Sequence, residues 1–350
     1  MSGRREVTPR SGFVQYCGQA RHAKSGTALT LNIRGKNSVH EFKIEQRGLI
    51  MFLLIRLVFL ATLLTLTASV SAQESPARVT ILYDAIGKSA ELKHGWGYSA
   101  LIEYGDRRIL FDTGGRLNDF SANVTSLGVD LSRLDFVVLS HRHGDHTSGL
   151  HHVLKMNPTV KIFTPAEQQN FHTPSSPGLV NMIKRRVDSA PEDMHYFDGK
   201  YPQQVASDSP WPDANFVQIR TPTEVLPGFW LFSTVSDVTG TKEMNEVSMA
   251  VKTPQGLVVI VGCSHPGIEK ILEAAVKIEP RVYSVFGGFH LAEVADAEVS
   301  SLVTRFRDKW KFERVAAGHC TGEFAFSEFN RIYGAKYDRA VVGAVIALPR

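Results

Sequence analysis

The stretch Leu139-Ser140-His141-Arg142-His143-Gly144-Asp145-His146-Thr147-Ser148-Gly149 decides how this chain is read. Three imidazoles and one carboxylate fall within six residues, directly after the apolar run Asp135–Leu139. A short, fully apolar run is how a buried sheet strand reads, so the loop is rooted in a sheet. Neutral imidazole and carboxylate are the donors that a borderline divalent cation such as zinc prefers. His141 and His143, two residues apart, can converge on one ion, and Asp145 and His146 are placed to serve a second. The competing reading is a surface loop that is His-rich by chance. Four candidate ligands at this spacing after an apolar strand weigh against it.

A two-ion site needs further ligands from the ends of other strands. Three histidines qualify: His265 after the apolar Gly256–Val261, His290 after Val285–Phe289, and His319 after Val315–Gly318. Each has glycine close by, where backbone must crowd a site.

The rest of the chain supplies alternating strand-like and helix-like segments. Val79–Tyr83, Tyr98–Tyr104 and Arg107–Phe111 predict strands, the last two joined by the turn dipeptide Gly105-Asp106. Leu117–Leu127 and Gly149–Met156 predict helices, and Val160–Phe163 a strand. Residues 168–226 lose periodicity and are rich in Pro, Ser, Asp and His, which predicts a partly structured insertion. Beyond it, strands are predicted at Gly228–Ser233, Val247–Lys252, Gly256–Val261, Arg281–Phe286, Phe312–Ala317 and Ala340–Ala347. Gly267–Ile278 and Ala295–Trp310 predict helices. Hairpins come first and strand–helix pairs later, which predicts an α/β or α+β fold with mixed sheets.

His141-Arg142-His143-Gly144-Asp145-His146 resembles the HxHxDH signature of the metallo-β-lactamase fold superfamily. Phe111-Asp112-Thr113-Gly114, Leu127-Gly128-Val129-Asp130 and the late His319 fit the same pattern, over roughly Val79 to Ala347. Within the superfamily, Glu91–Gly115, Gly262–Leu272, Gly287–Leu291 and Gly318–Gly322 resemble the group labelled dihydropterin-methyl-ribofuranosylaminobenzene phosphate synthase-like, metal-dependent hydrolases in the broad sense.

The resemblance implies a four-layer αββα sandwich with a dinuclear site at one edge. His141, His143 and a later His, taken as His265, would hold one ion; Asp145, His146 and His319 would hold the other. The implied ions are two zinc, with manganese or iron(II) as the other candidates. The chain departs from the lactamase pattern after Gly256–Val261, where Gly262-Cys263-Ser264-His265 replaces the usual bridging Asp. The implied chemistry is attack of hydroxide on an ester, phosphoester or lactone, two ions having lowered the pKa of a shared water. Asp145 would ligate and accept a hydrogen bond from that water. His290, assigned to the substrate pocket or to support of a ligand, and His94 are candidate donors to the leaving group. Asp112 would orient a ligating His, or be a plain turn residue. His151, His152, His172 and His195 carry no ligand spacing, and Lys184-Arg185-Arg186 reads as a solvated face. Trp211 and Phe216 are candidates for a pocket lining or for local packing. For Cys263 and Cys320 three readings stand open: buried thiols, a soft metal ligand, or a disulfide. A true β-lactamase or lactonase, and a metal- or ligand-binding protein with weak catalysis, are the alternative functions.

The first 72 residues read differently from the rest. Residues 1–50 hold nine Lys/Arg against three acids, with no sustained periodicity, and read as a poorly ordered extension. Leu49–Leu66 is apolar apart from Arg56 and two Thr, and ends in Ser69-Val70-Ser71-Ala72, the layout of a cleavable export signal starting at Met51. An uncleaved anchor over 49–72 is the other reading, since the run can span a bilayer. Either way residues 73–350 are expected to be an exported domain, periplasmic or secreted. The whole chain carries +4, but residues 1–50 alone carry +6. The exported part is therefore mildly acidic, which argues against a nucleic-acid partner and for a small-molecule substrate. With 43% hydrophobic and 21% charged residues the chain is globular, and three cysteines are too few for a disulfide scaffold.

Overall fold

The computed structural model describes residues 28–35, 38–45, 75–87, 89–166 and 210–350. Two units are present, and the first contains only one described hairpin. In it Ala28–Gly35 (β1) pairs antiparallel with Ser38–Glu45 (β2), from Ala28 opposite Glu45 to Gly35 opposite Ser38. The sequence reading places no element here. Leu29, Leu31 and Ile33 do alternate with polar residues, a period-two signal that the scattered Gly, Ser and Asn around it obscure. The apolar run 49–72 lies outside the described residues, and no described helix is long and apolar enough to cross a membrane.

The second unit, Ser75–Arg350, is built on two mixed sheets. One holds seven strands, in the order Val345–Ala347 (β15), Ala77–Tyr83 (β3), Ser99–Tyr104 (β4), Arg107–Phe111 (β5), Phe136–Val138 (β6), Lys161–Pro165 (β7) and Asn215–Ile219 (β8). The other holds six: Arg314–Gly318 (β14), Val282–Gly288 (β13), Gly256–Ile260 (β12), Asn245–Thr253 (β11), Phe229–Val235 (β10) and Thr223–Leu226 (β9).

Period-two placement divides each strand between two cores. Val79, Ile81, Ile102, Ile109 and Val138 of the first sheet meet Leu231, Met249, Val258 and Ile260 of the second in one buried cluster. The intervening Leu101, Leu110 and Val137 face outward and pack under the helices Leu117–Ser126 (α1) and Leu150–Met156 (α3), the latter preceded by the short Gly144–Thr147 (α2). On the other flank Leu257, Val259 and Val285 pack under Ile268–Ala275 (α4), Asp296–Arg305 (α5) and Glu323–Tyr333 (α6). The layers therefore run helix, sheet, sheet, helix. Both faces of each sheet are covered, which is why these strands read as unbroken apolar runs.

Three local expectations change. The end of the expected insertion is part of the frame: β8 extends one sheet beside β7, and β9 extends the other beside β10. Residues 167–209, with His172, His195 and Lys184-Arg185-Arg186, lie outside the described residues. The helix predicted to run to Trp310 ends at Arg305 and loosens into a π-turn over Phe306–Trp310, closed by Lys311 at φ 55°. The last strand is only Val345–Ala347, because a turn at Val342 and Gly343 precedes it.

Candidate metal centre

Strand direction gathers the site. β5, β6 and β7 run parallel, as do β12, β13 and β14, so their C-terminal ends share one edge of each sheet. The loops after β6, β12, β13 and β14 carry His141–His146, His265, His290 and His319 respectively. The residues that support them reach the same edge from other strand ends: Asp84 after β3, Asp112 after β5, and Glu246 at the start of the antiparallel β11.

Two trios of donor atoms result. His141, His143 and His265 place one ligand atom each within 4.8 Å of one another, and so do Asp145, His146 and His319. Cys263 lies between them, grouped at the same separation with His141 and His146, with His265 and His290, and with His319 and Cys320. Its Sγ is 3.2 Å from His146 Nε2. Cys263 and Cys320 are both free thiols and both buried.

Hydrogen bonds fix which nitrogen of each ring faces the cluster. Asp112, fully buried, accepts from His146 Nδ1 at 2.7 Å and from the backbone N–H and hydroxyl of Ser140, each at 2.7 Å. With its proton on Nδ1, His146 turns the Nε2 lone pair inward, 3.2 Å from His319 Nε2. Ser140 Oγ is 2.9 Å from His141 Nδ1, leaving His141 Nε2 to face His143 Nδ1 at 3.1 Å. Glu246 holds His265 Nδ1 at 3.0 Å and accepts the backbone N–H groups of Cys263, Ser264 and His265 at 2.7 to 2.9 Å. His319 Nδ1 is buried and has no partner among the described residues. Asp84, also buried, accepts the His319 backbone N–H at 2.9 Å.

Such a set of inward lone pairs fits a cation better than it fits protons. Burial and the neighbouring imidazoles hold His141 well below its usual pKa. Burial, with His265 beside it, lowers His143 to about 4. Burial and His146 lower His319 to about 3. His146 is the exception: burial pulls it down, but Asp112 and Asp145 raise it to about 10. Burial opposes ionisation of Asp145 as well, yet His146 and His319 hold its carboxyl below the usual range. Burial lifts Asp84 to about 8 and raises the Cys263 thiol. His141, His143 and His319 are thus neutral and Asp145 ionised, the form in which such groups bind a metal, while His146 would have to give up a proton to do so.

The backbone is strained where the ligands are presented. Among the described residues, six without a glycine side chain have positive φ, and four of them are Asp112 (56°), Ser264 (64°), His290 (51°) and His319 (48°). Non-glycine residues in this region concentrate at functional sites. Close approach is glycine-dependent at Gly97 (φ 139°), where a Cβ would sit 2.3 Å from the Asp145 carbonyl. That contact seats Trp96, whose ring is 5.0 Å from that of His319 and 59% exposed.

All seven site residues expected from the sequence meet here: the six of the two trios, and His290, whose ring lies 4.6 Å from that of His265. His94 is exposed and belongs to none of these groups. His151 and His152 turn to Trp211 and Phe120, and Trp211 packs with Phe216 in the outer core. Glu246 and Asp84 are absent from the sequence reading, and Ser140 has no role in it. Asp84 follows an apolar strand just as Asp112 does, which is a usable signal; Glu246 has none.

The sequence profile of the metallo-beta-lactamase superfamily matches residues 96–235, from Trp96 through the 139–149 loop to the end of β10. Over that span the chain reads as a metallo-beta-lactamase domain. A relative from Methanocaldococcus jannaschii, 7,8-dihydropterin-6-methyl-4-(beta-D-ribofuranosyl)-aminobenzene-5'-phosphate synthase, is 26% identical over 76% of this chain and 95% of its own length. A second protein of that organism, the uncharacterized MJ0448, is 28% identical over 72% of this chain and 93% of its own. The solved structure of Tm1679, described as a metal-dependent hydrolase of the beta-lactamase superfamily, is 25% identical, with a TM-score of 0.59 over 78% of this chain and all of that one. The metallo-beta-lactamase fold implies metal binding, and His265, His290 and His319 lie beyond the matched span, brought in by the second sheet.

Proposed function

We propose that this metallo-beta-lactamase domain is an exported hydrolase of small-molecule esters or phosphoesters, working with two zinc ions. The observation that carries the reading is the pair of donor trios joined across Cys263, with His141, His146 and His265 each held by its other nitrogen. His141, His143 and His265 would hold one ion; Asp145, His146 and His319 the other; Cys263 stands where it can serve both. Bound there, such ions supply Lewis acidity and a water acidic enough to ionise near neutral pH.

The chain's own residues do the rest. Asp112, Ser140 and Glu246 keep the rings oriented, so no reorganisation is needed during reaction. The Asp145 carboxylate, 3.5 Å from both His146 Nε2 and His319 Nε2, is available to accept a proton at its outer oxygen. His290 is more exposed than the trio rings and stands beside His265, where it can donate to a departing oxygen.

The test is elemental analysis of the purified protein with hydrolysis of aryl phosphodiesters, phosphomonoesters, lactones and β-lactams, with and without a chelator. About two equivalents of zinc and chelator-sensitive turnover of an ester or phosphoester support the reading. Less than one equivalent of any transition metal removes it. Asp145→Ala should abolish turnover with the fold intact; unchanged turnover would place the chemistry elsewhere. The archaeal relative's name is that of a synthase, so mass spectrometry of the products separates hydrolysis from group transfer.

A further inference from the structure

A cavity of about 350 Å³ opens where the loops after β12 and β13 meet. His265 and His290 line it, and the same two residues belong to the donor cluster, so the cavity is continuous with the metal centre. Beyond them its wall is Ile268, Phe289, Leu291, Val294 and Leu302. Ile268 and Phe289 are almost wholly buried, so the wall is set by the packed core and not by a loop tip.

Of the charged groups on its rim, Arg305, Glu269 and Lys270 are already engaged, and the other is the exposed Glu298. Arg305 is held by both carboxylate oxygens of Glu269, at 3.0 and 3.1 Å from Nε and 2.6 Å from one terminal nitrogen. Lys270 Nζ donates to the Val235 carbonyl at 2.9 Å and pairs with Asp237 at 3.1 Å. An anionic arm entering here would find Arg305 and Lys270 committed, and a cationic arm would find only the exposed Glu298, so either would lose its hydration for little return. An apolar arm would gain by leaving water.

We infer that this cavity is the subsite for an uncharged apolar arm of the substrate, an alkyl or aryl group on the side of the reacting bond that faces His265 and His290. Volume and lining are those of a small-ligand pocket, with the two imidazoles as its polar end. The inference rests on the hydrolase reading only for the identity of the reacting bond; the apolar wall is independent of it.

The experiment compares ligands that share a chelating head and differ in the arm: acetohydroxamate and 4-phenylbutyrohydroxamate, titrated by calorimetry into the metal-loaded protein. Val238→Trp at the 46% exposed rim and Val294→Trp on the wall both narrow the cavity. Wild type should bind the longer ligand roughly tenfold more tightly, and both variants should bring that ratio close to one. Val238 is exposed enough that its variant reports on the cavity even if Val294→Trp fails to fold. No gain from the longer arm in wild type, or the same gain in Val238→Trp, overturns the assignment. The same comparison is made on acetate and 4-phenylbutyrate esters of one phenol. Hydroxamates that behave as expected, with neither ester turned over, keep the subsite and remove the hydrolase reading.

Discussion

Asp112 Oδ2 and His146 Nδ1 meet at 2.7 Å with neither side chain exposed to solvent. The bond does two things at once. It selects the tautomer of a ligating ring, and it anchors the loop after β6, since the same carboxylate accepts from both the N–H and the hydroxyl of Ser140. Asp112→Asn keeps the shape and removes the charge. Metal affinity should fall by about 10- to 100-fold, the usual cost of losing such an outer partner. Competition with a fluorescent chelator measures it, and an affinity equal to wild type would reduce Asp112 to a turn residue.

Cys263 separates the two readings left for its thiol. As a ligand, it should give cobalt-substituted protein a thiolate-to-cobalt charge-transfer band, absent in Cys263→Ser, and the variant should retain less metal. As an inert buried thiol, it should leave both spectrum and metal content unchanged. Burial now holds this thiol protonated, so the band should deepen as proton release accompanies cobalt binding.

The chelated protein should lose stability on acidification from pH 6 to 5. His141, His143 and His319 have folded-state pKa values below the unfolded 6.5, so between about 4 and 6.5 the unfolded chain binds more protons at these sites. Stability therefore rises with pH across that window and is lost as pH falls. His146, raised to about 10, is protonated in the folded state throughout; its unfolded form takes up nearly all of its proton below pH 6, so there it opposes the trend only weakly. Asp84, raised to about 8 by burial, keeps its proton throughout and acts in the opposite sense, and burial pushes Asp112 the same way, but these are at most two carboxyls against three imidazoles. Urea midpoints at the two pH values, with chelator present, check the sign.

Trp96 presents an exposed ring beside His319. Trp96→Ala should lower kcat/KM for aryl substrates by about three- to tenfold, the size of an aromatic contact, and leave metal content at the wild-type level. A loss of metal instead would mean that the indole serves the ligand loop and not the substrate.

Much of the site was legible because its chemistry is local in the chain. His141, His143, Asp145 and His146 sit within one loop, and His265, His290 and His319 each follow an apolar strand. The helices and sheets were legible for the same reason, since buried strands read as apolar runs. Glu246 was not, because its role depends on β11 running antiparallel to β12, which delivers the start of one strand to the end of the next. No residue spacing encodes that. Strands β8 and β9 were hidden inside a polar stretch because each lies at a sheet edge, where only part of a strand is buried. Cys263 was visible as a residue, but its place between the trios is a property of two loops meeting.

The trios draw on both sheets: His141, His143, Asp145 and His146 hang from the first, His265 and His319 from the second. Ions held there would rivet the two halves of the sandwich at one rim, joining His141 to His319, 178 positions further along the chain. Only the folded chain offers that grip, so occupancy adds to stability by mass action. Stripped of metal, the rim is where the sandwich should first gape. The early sign of depletion would then be a cut by a protease in the 139–149 or 261–267 loop, ahead of any loss of the far rim.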